Sequence, residues 1–160
     1  MKRRAVRPRA PHIESYVPYL VNRAATAMLN FSAREFESLG LTVPQWRILL
    51  ALWHHRECRF GDLATITSIE PPTLSRLINT MESARLVKRV PNEQDSRSVK
   101  VALTETGEAL FEGTIPFARE SNRCYVAGLS ADELAVLRRA LTVIYDNVRA
   151  ASKGRTDASA

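Results

Sequence analysis

Arg76, Arg85, Lys88, Arg89, Arg97 and Lys100 stand against Glu82, Glu93 and Asp95 in the segment from Pro71 to Thr104, a local net charge of +3. Interleaved with them are Thr73, Ser75, Asn79, Thr80 and Ser83. Guanidinium, ammonium, hydroxyl and amide groups in this mixture suit a polyanion, the cations meeting its charge and the short polar groups adding hydrogen bonds. Their spacing gathers them. At about 100° per residue, Leu74, Leu77, Ile78 and Met81 fall on one face of a helix, while Pro72, Ser75, Arg76, Asn79, Thr80 and Ser83 fall opposite. One face is core and the other is free to touch a partner.

The elements around this helix must present it. Leu86, Val87, Lys88, Arg89 and Val90 run into the turn-rich stretch Pro91-Asn92-Glu93-Gln94-Asp95-Ser96, and Val99, Val101 and Leu103 then alternate with Lys100 and Ala102 at strand period. Pro91 has no N–H for the ladder and ends the first strand. A helix sized for a major groove, followed by a two-stranded hairpin with Arg97 near its tip, is a winged helix-turn-helix layout. The preceding segment fits: a short helix from about Phe60 to Thr67 buries Leu63 and Ile66, Thr67-Ser68 forms the turn, and Pro71 and Pro72 open the polar-faced helix where a missing N–H is not felt.

Upstream, Met1 to about Pro11 reads as a disordered basic arm. From Ile13 to Leu39 apolar residues recur at three and four, predicting a helix of up to about 26 residues and roughly 39 Å. Its length and apolar stripe (Ile13, Tyr16, Val17, Leu20, Val21, Ala24, Met28, Phe31, Phe36) make it a candidate dimer interface. Gly40 closes it, and Thr42-Val43-Pro44-Gln45 opens the next helix with a capping box. Trp46, Leu49, Leu50 and Trp53 are expected to be its buried face, and His54 to Arg59 an exposed loop. After the hairpin, Thr104 caps a helix whose Leu110, Phe111, Ile115 and Phe117 are apolar and which Pro116 is expected to kink. Gly128-Leu129 breaks the chain. Ser130 to Glu133 is a second capping box, starting a helix with a stripe of Leu134, Leu137, Leu141, Ile144, Tyr145 and Val148 that ends near Ala150.

The expected organisation is a basic arm at 1–11, an N-terminal dimerisation helix at 12–40, a DNA-binding winged helix-turn-helix at 41–104, C-terminal dimerisation helices at 105–150 and a flexible tail at 151–160. The fold class is mainly α, an α+β arrangement with a small β-hairpin wing.

Composition narrows the function classes. Hydrophobic residues make up 45% and charged residues 25% of the 160, as in an ordinary globular chain. Net charge is +6, but Lys2, Arg3, Arg4, Arg7 and Arg9 supply five of the 23 basic residues, so the excess sits largely in the arm. No apolar run reaches the ~18 residues of a membrane span, and Pro-rich sequence rather than an apolar stretch follows the basic start, so a cytoplasmic protein is expected. Cys58 and Cys124 fit reduced thiols better than a disulfide or zinc site. With His12, His54 and His55 as the three histidines, and no nucleophile elbow, phosphate-binding loop or H-E-x-x-H, neither catalysis nor a cofactor or metal is expected. A non-specific architectural DNA binder and a winged-helix module for protein contacts are the competing classes.

The chain resembles the MarR (multiple antibiotic resistance regulator) type of transcription factor. The run from Asp95 to Gly107 matches the family's wing signature D-x-R-x-x-x-V-x-L-T-x-x-G, and Thr73-Leu74-Ser75-Arg76-Leu77, Met81-Glu82 and Leu86-Val87-Lys88-Arg89 match its recognition helix and exit. The similarity covers about Ile13 to Val148. It implies a homodimer on palindromic double-stranded DNA, usually a repressor released by a small ligand or an oxidant. Arg76 would then contact a base edge, with Thr73, Ser75, Asn79 and Thr80 adding base or phosphate hydrogen bonds. Arg97, fixed by Asp95, would enter the minor groove from the wing, and Lys88, Arg89 and Lys100 would meet phosphates. An aromatic or carboxylate effector would lie among His12, Tyr16, Tyr19, Arg23, Trp46, Trp53 and His54, and Cys58 or Cys124 would be the thiol of a redox-sensing variant. Arg85 stands where the family usually has glycine at the end of the helix, so a left-handed conformation there would be strained.

Overall fold

The structure, a computed structural model, describes residues 12–92 and 99–157, with side chains through residue 152. The basic arm through Pro11, together with Asp95 and Arg97 of the expected wing tip, lies outside the described residues. Helix α1 spans Val17–Ser38, α2 Val43–His55, α3 Phe60–Thr67, α4 Pro71–Ser83, α5 Glu105–Tyr125 and α6 Ala131–Asp157; the strands are β1 Glu57–Arg59, β2 Val87–Pro91 and β3 Val99–Leu103. The fold is mainly α, a winged helix-turn-helix with longer helices on either side of it in sequence. Two compact units divide the chain, one ending at Arg119 and the other beginning at Glu120.

Helix boundaries follow local chemistry. Gly40, at φ 69°, takes the left-handed turn after α1, and Leu41 then donates from its N–H back to the Phe36 carbonyl at 2.9 Å. At the start of α2 the Thr42 N–H donates to Gln45 Oε1 at 2.8 Å while Gln45 N–H returns to Thr42 Oγ1, the expected capping box. Ser130 and Glu133 form the second one at the start of α6. The long N-terminal helix begins later than expected. A 3-10 turn at Ile13–Ser15 and an extended Tyr16 precede it, because Pro18 fits only in a first helical turn and restricts the residues before it.

In the first unit the core gathers Leu41, Ile48, Leu49, Leu52, Leu63, Leu74, Ile78, Met81, Val87, Val101 and Phe111, all buried. On α2 the fully buried residues are Ile48, Leu49, Ala51 and Leu52, with Trp46, Leu50 and Trp53 only partly buried. This corrects the expected face: α2 touches α1, α3, β1 and β3, so no single stripe defines its inside. On α3, Leu63 and Thr67 are buried and Ile66 is exposed; Thr67 satisfies its hydroxyl by donating to the Leu63 carbonyl at 2.7 Å.

In place of the expected loop at residues 54–59, His54 and His55 finish α2 and Glu57–Arg59 form strand β1. β1 pairs antiparallel with β3, Cys58 opposite Val101, and gives a three-stranded sheet in the order β1-β3-β2 where a two-stranded hairpin was expected. On the other edge β2 pairs with β3 from Val87 opposite Leu103 to Pro91 opposite Val99. Val101 and Leu103 point into the core, and Val99 at the outer end is exposed.

Between α4 and β2, Arg85 has φ 58°, the strained left-handed conformation foreseen there, and its N–H donates to the Glu82 carbonyl at 2.9 Å. Since its side chain is exposed, Arg85→Gly is expected to raise unfolding stability by about 1 kcal/mol. Urea denaturation checks this, and a loss of stability would show that the arginine side chain contributes more than its backbone costs.

In the second unit, α6 continues to Asp157, about two turns beyond the expected end near Ala150. No proline follows Ala150, and Ala151, Lys153 and Arg155 are good helix formers among the weaker ones there. Among the described residues no helix is long and apolar enough to cross a membrane.

Candidate nucleic-acid interface

Helix α4 is held by one face and offers the other. Leu74, Ile78 and Met81 are completely buried, each contributing about 1.5–3 kcal/mol through that burial, while Thr73, Ser75, Arg76, Asn79 and Thr80 are exposed. Pro71 and Pro72 occupy its first turn, and Ser68, left-handed at φ 52°, makes the turn from α3. The Arg76 guanidinium enters no hydrogen bond or ion pair among the described residues, so it is available to a ligand. The exposed Thr80 donates from its hydroxyl to the Arg76 carbonyl at 3.0 Å.

The basic residues expected on phosphates do not share one environment. Lys88 is exposed on β2, in the same hollow of about 550 Å³ as Glu82, Arg85 and Glu105. Arg89 is engaged: its guanidinium pairs with the Glu82 carboxylate and donates from Nη2 to Asn79 Oδ1 at 2.7 Å. Lys100 ion-pairs with Glu57 at 2.5 Å across the β3–β1 edge, with its side chain only 24% exposed. Sequence reasoning missed these partnerships. The signal for the first was an acid and a base seven residues apart across a helix exit, and Glu57 lay in a segment taken for a loop.

The effector candidates fall into two groups. His12, Tyr16, Tyr19 and Arg23 follow the N-terminal turn and the first turns of α1, with His12 Nδ1 3.9 Å from the Glu14 carboxylate. Trp46, Trp53 and His54 lie on α2. Trp46 is engaged in packing, its Nε1–H donating to Thr114 Oγ1 at 3.0 Å and its ring stacking on Phe36 at 5.0 Å. Trp53 lies 5.2 Å from the Phe111 ring, with the Arg56 guanidinium 5.8 Å above it. No hydrogen bond or ring contact among the described residues joins the two groups.

The two cysteines are free, Cys58 buried and Cys124 exposed. Burial pushes the Cys58 thiol up, and the nearby Asp62 and Glu57 carboxylates push it the same way, all against the reactive thiolate. Cys124 Sγ stands 3.9 Å from the Glu120 carboxylate. No group of three metal-ligating side chains occurs among the described residues.

The sequence model of the MarR family matches residues 39–98, from the end of α1 to the expected wing tip. The HTH-type transcriptional regulator MgrA of Staphylococcus aureus is 30% identical over 112 residues, covering 69% of this chain and 74% of that protein. The chain belongs to the MarR family. AbsC, a MarR family regulator from Streptomyces coelicolor, superposes with a TM-score of 0.79 at 26% identity, over 89% of this chain and 99% of that one. A structure of Bordetella bronchiseptica BpsR, described as explaining how 6-hydroxynicotinic acid regulates its DNA binding, matches with a TM-score of 0.72 at 26% identity over 81% and 98%. Membership makes the protein a transcriptional regulator and not an enzyme. The MarR-family match includes all of α4 and β2, the two elements that carry the exposed basic and polar row.

Proposed function

We propose that the protein is a sequence-specific DNA-binding repressor that acts as a cytoplasmic homodimer on a palindromic operator and is released by a small aromatic or carboxylate effector. The observation that carries this reading is the outward row on α4, where the unengaged guanidinium of Arg76 stands among Thr73, Ser75, Asn79 and Thr80 on a helix whose other face buries Leu74, Ile78 and Met81 and partly buries Leu77. Arg76 reads guanine through O6 and N7, the short polar side chains read bases or phosphates, and Lys88 meets phosphate. Arg97, which with Asp95 lies outside the described residues, is assigned to the minor groove on the wing motif alone.

Homodimerisation is supported by apolar surface left uncovered in each unit. Tyr16 just before α1 and Val17, Leu20, Val21, Met28 and Phe31 on it are exposed, as are Leu137, Leu141, Ile144 and Val148 on α6. So much exposed apolar surface is unusual for a monomer, and a second copy covers it. The effector reading is supported by BpsR, whose ligand is a small aromatic acid. In this chain Tyr16, Arg23 and His54 offer exposed polar groups for such a ligand, Tyr19 is half-buried, His12 lies just before Tyr16 in sequence, and Trp46 and Trp53 are partly buried against the core. An effector acts only if it binds the DNA-incompetent arrangement more tightly than the competent one.

Selection of duplexes from a random pool tests the reading. It should return a palindrome with half-sites about one helical turn apart or a multiple of that; a pool that stays random after repeated rounds would retire it. On the selected duplex, Arg76→Ala should cost about 1–3 kcal/mol and relax the preference at one base pair per half-site, whereas Lys88→Ala should weaken all sequences alike. Equal loss of discrimination in both variants would contradict these roles.

A further inference from the structure

We propose that Arg47 is a positioning residue for DNA recognition: from α2 it holds the turn between α3 and α4, and so fixes the reading end of α4 against its target. This rests on the reading of α4 as the DNA-contacting helix.

The turn is short of backbone donors. Thr67 ends α3 and is buried, and its carbonyl has no partner within that helix. The next two N–H groups, of Ser68 and Ile69, return to the Thr65 and Ala64 carbonyls at 3.3 and 3.2 Å. Four residues on from Thr67, where a continuing helix would supply the donor, stands Pro71, which has no N–H. Arg47 supplies the donor from outside the motif. Its Nη1 donates to the Thr67 carbonyl at 3.2 Å, which also sets a positive charge at the negative end of α3. Arg47 is half-buried and enters no ion pair among the described residues, so this carbonyl, and not a carboxylate, is what its guanidinium holds.

The platform behind Arg47 is firm. Ile48 and Leu49 next to it on α2 are fully buried, and Trp46 on its other side donates to Thr114 Oγ1 at 3.0 Å. The two ends of α4 are held in different ways. At its C-terminal end Leu86 N–H returns to the Met81 carbonyl at 2.9 Å, and Arg89 engages both Glu82 and Asn79. At its N-terminal end, which carries Thr73, Ser75 and Arg76, Ile69 and Leu74 are buried, and the bond from Arg47 adds a directional tie that apolar contact lacks.

Readout of a base edge by paired hydrogen bonds tolerates displacements of only about 0.5 Å and about 10–20°. Attraction to phosphates is far less demanding, since it carries no sequence information. A turn released from α2 therefore loses discrimination before it loses affinity for DNA in general.

The unmodified protein, Arg47→Leu and Arg47→Lys are titrated with the selected palindrome and with a scrambled duplex over a range of salt, and the melting temperature of each is measured. Arg47→Leu removes every donor and should lower the ratio of the two affinities by at least about tenfold, with the affinity for the scrambled duplex and its salt slope unchanged. Arg47→Lys keeps a donor of similar reach and should restore most of the ratio. A phosphate contact by Arg47 would instead weaken both duplexes and make the salt slope shallower by about one per protomer. A role in stability alone would lower the melting temperature and leave the ratio as it was. Either result would overturn the proposal, as would a loss of discrimination that Arg47→Lys does not repair. Where Arg47→Leu does not fold alone, it is made on the Arg85→Gly background, which is expected to be more stable. A random pool for the unmodified protein would bring down the reading of α4 itself, and this inference with it.

Discussion

Gly107→Ala is expected to cost more than about 3 kcal/mol and to leave little folded protein at 37 °C. A Cβ at this position would lie 1.9 Å from the carbonyl oxygen of Leu86 and 2.9 Å from its carbon, and both atoms belong to backbone that cannot swing aside. That carbonyl accepts from the Thr104 N–H at 3.1 Å, while Thr104 Oγ1 donates to the Arg85 carbonyl at 2.5 Å and accepts from the Gly107 N–H at 3.0 Å. The exit of α4, the base of the wing and the first turn of α5 thus meet in one cluster of hydrogen bonds around Thr104. A methyl group there forces the three elements apart, and with them the spacing between the reading helix and the hairpin. Gly61 on α3 is the control: nothing lies within 4 Å of its Cβ position, and Gly61→Ala should be neutral or stabilising by up to about 1 kcal/mol. Thermal and urea unfolding of the two variants checks the contrast, and similar stabilities for both would refute the close approach.

The double variant Leu141→Glu with Ile144→Glu should convert the proposed homodimer to a monomer and weaken operator binding by at least about a thousandfold. Both side chains sit on the α6 stripe with Leu137 and Val148 and are already exposed in the isolated chain, so carboxylates there do not disturb its own core. In the dimer they would be buried against the partner's apolar surface, at a cost of several kcal/mol for each unpaired charge. Loss of the dimer separates the two reading heads, and each half-site then binds alone. Light scattering should fall from twice the chain mass to once, with helical content retained. A variant that remains a dimer would place the interface elsewhere.

Much of this was legible in the sequence. The period of Leu74, Ile78 and Met81 defined α4 and its free face because one side of that helix is packed and the other is not. The capping boxes at Thr42 and Ser130 and the turn at Gly40 were legible because they are local hydrogen-bond chemistry. Where the outcome depended on more distant neighbours, the pattern failed. β1 has three residues, too few for a periodic signal, and exists because β3 offers it an edge. The inside of α2 was misassigned because that helix is enclosed by several elements. Arg89 carries a charge that suits phosphate, and only the placement of β2 beside α4 shows that Glu82 and Asn79 have already engaged it. The left-handed Arg85 was foreseen through the family resemblance, since nothing in an arginine itself requires it.

Fluorescence-anisotropy titration of a selected palindromic duplex against a scrambled duplex of the same composition, at two salt concentrations, tests most directly whether the α4 row reads DNA. A preference of about a thousandfold or more for the palindrome, with affinity falling steeply as salt rises, is the predicted result. Equal affinity for the two duplexes, or no binding at either salt, would contradict it.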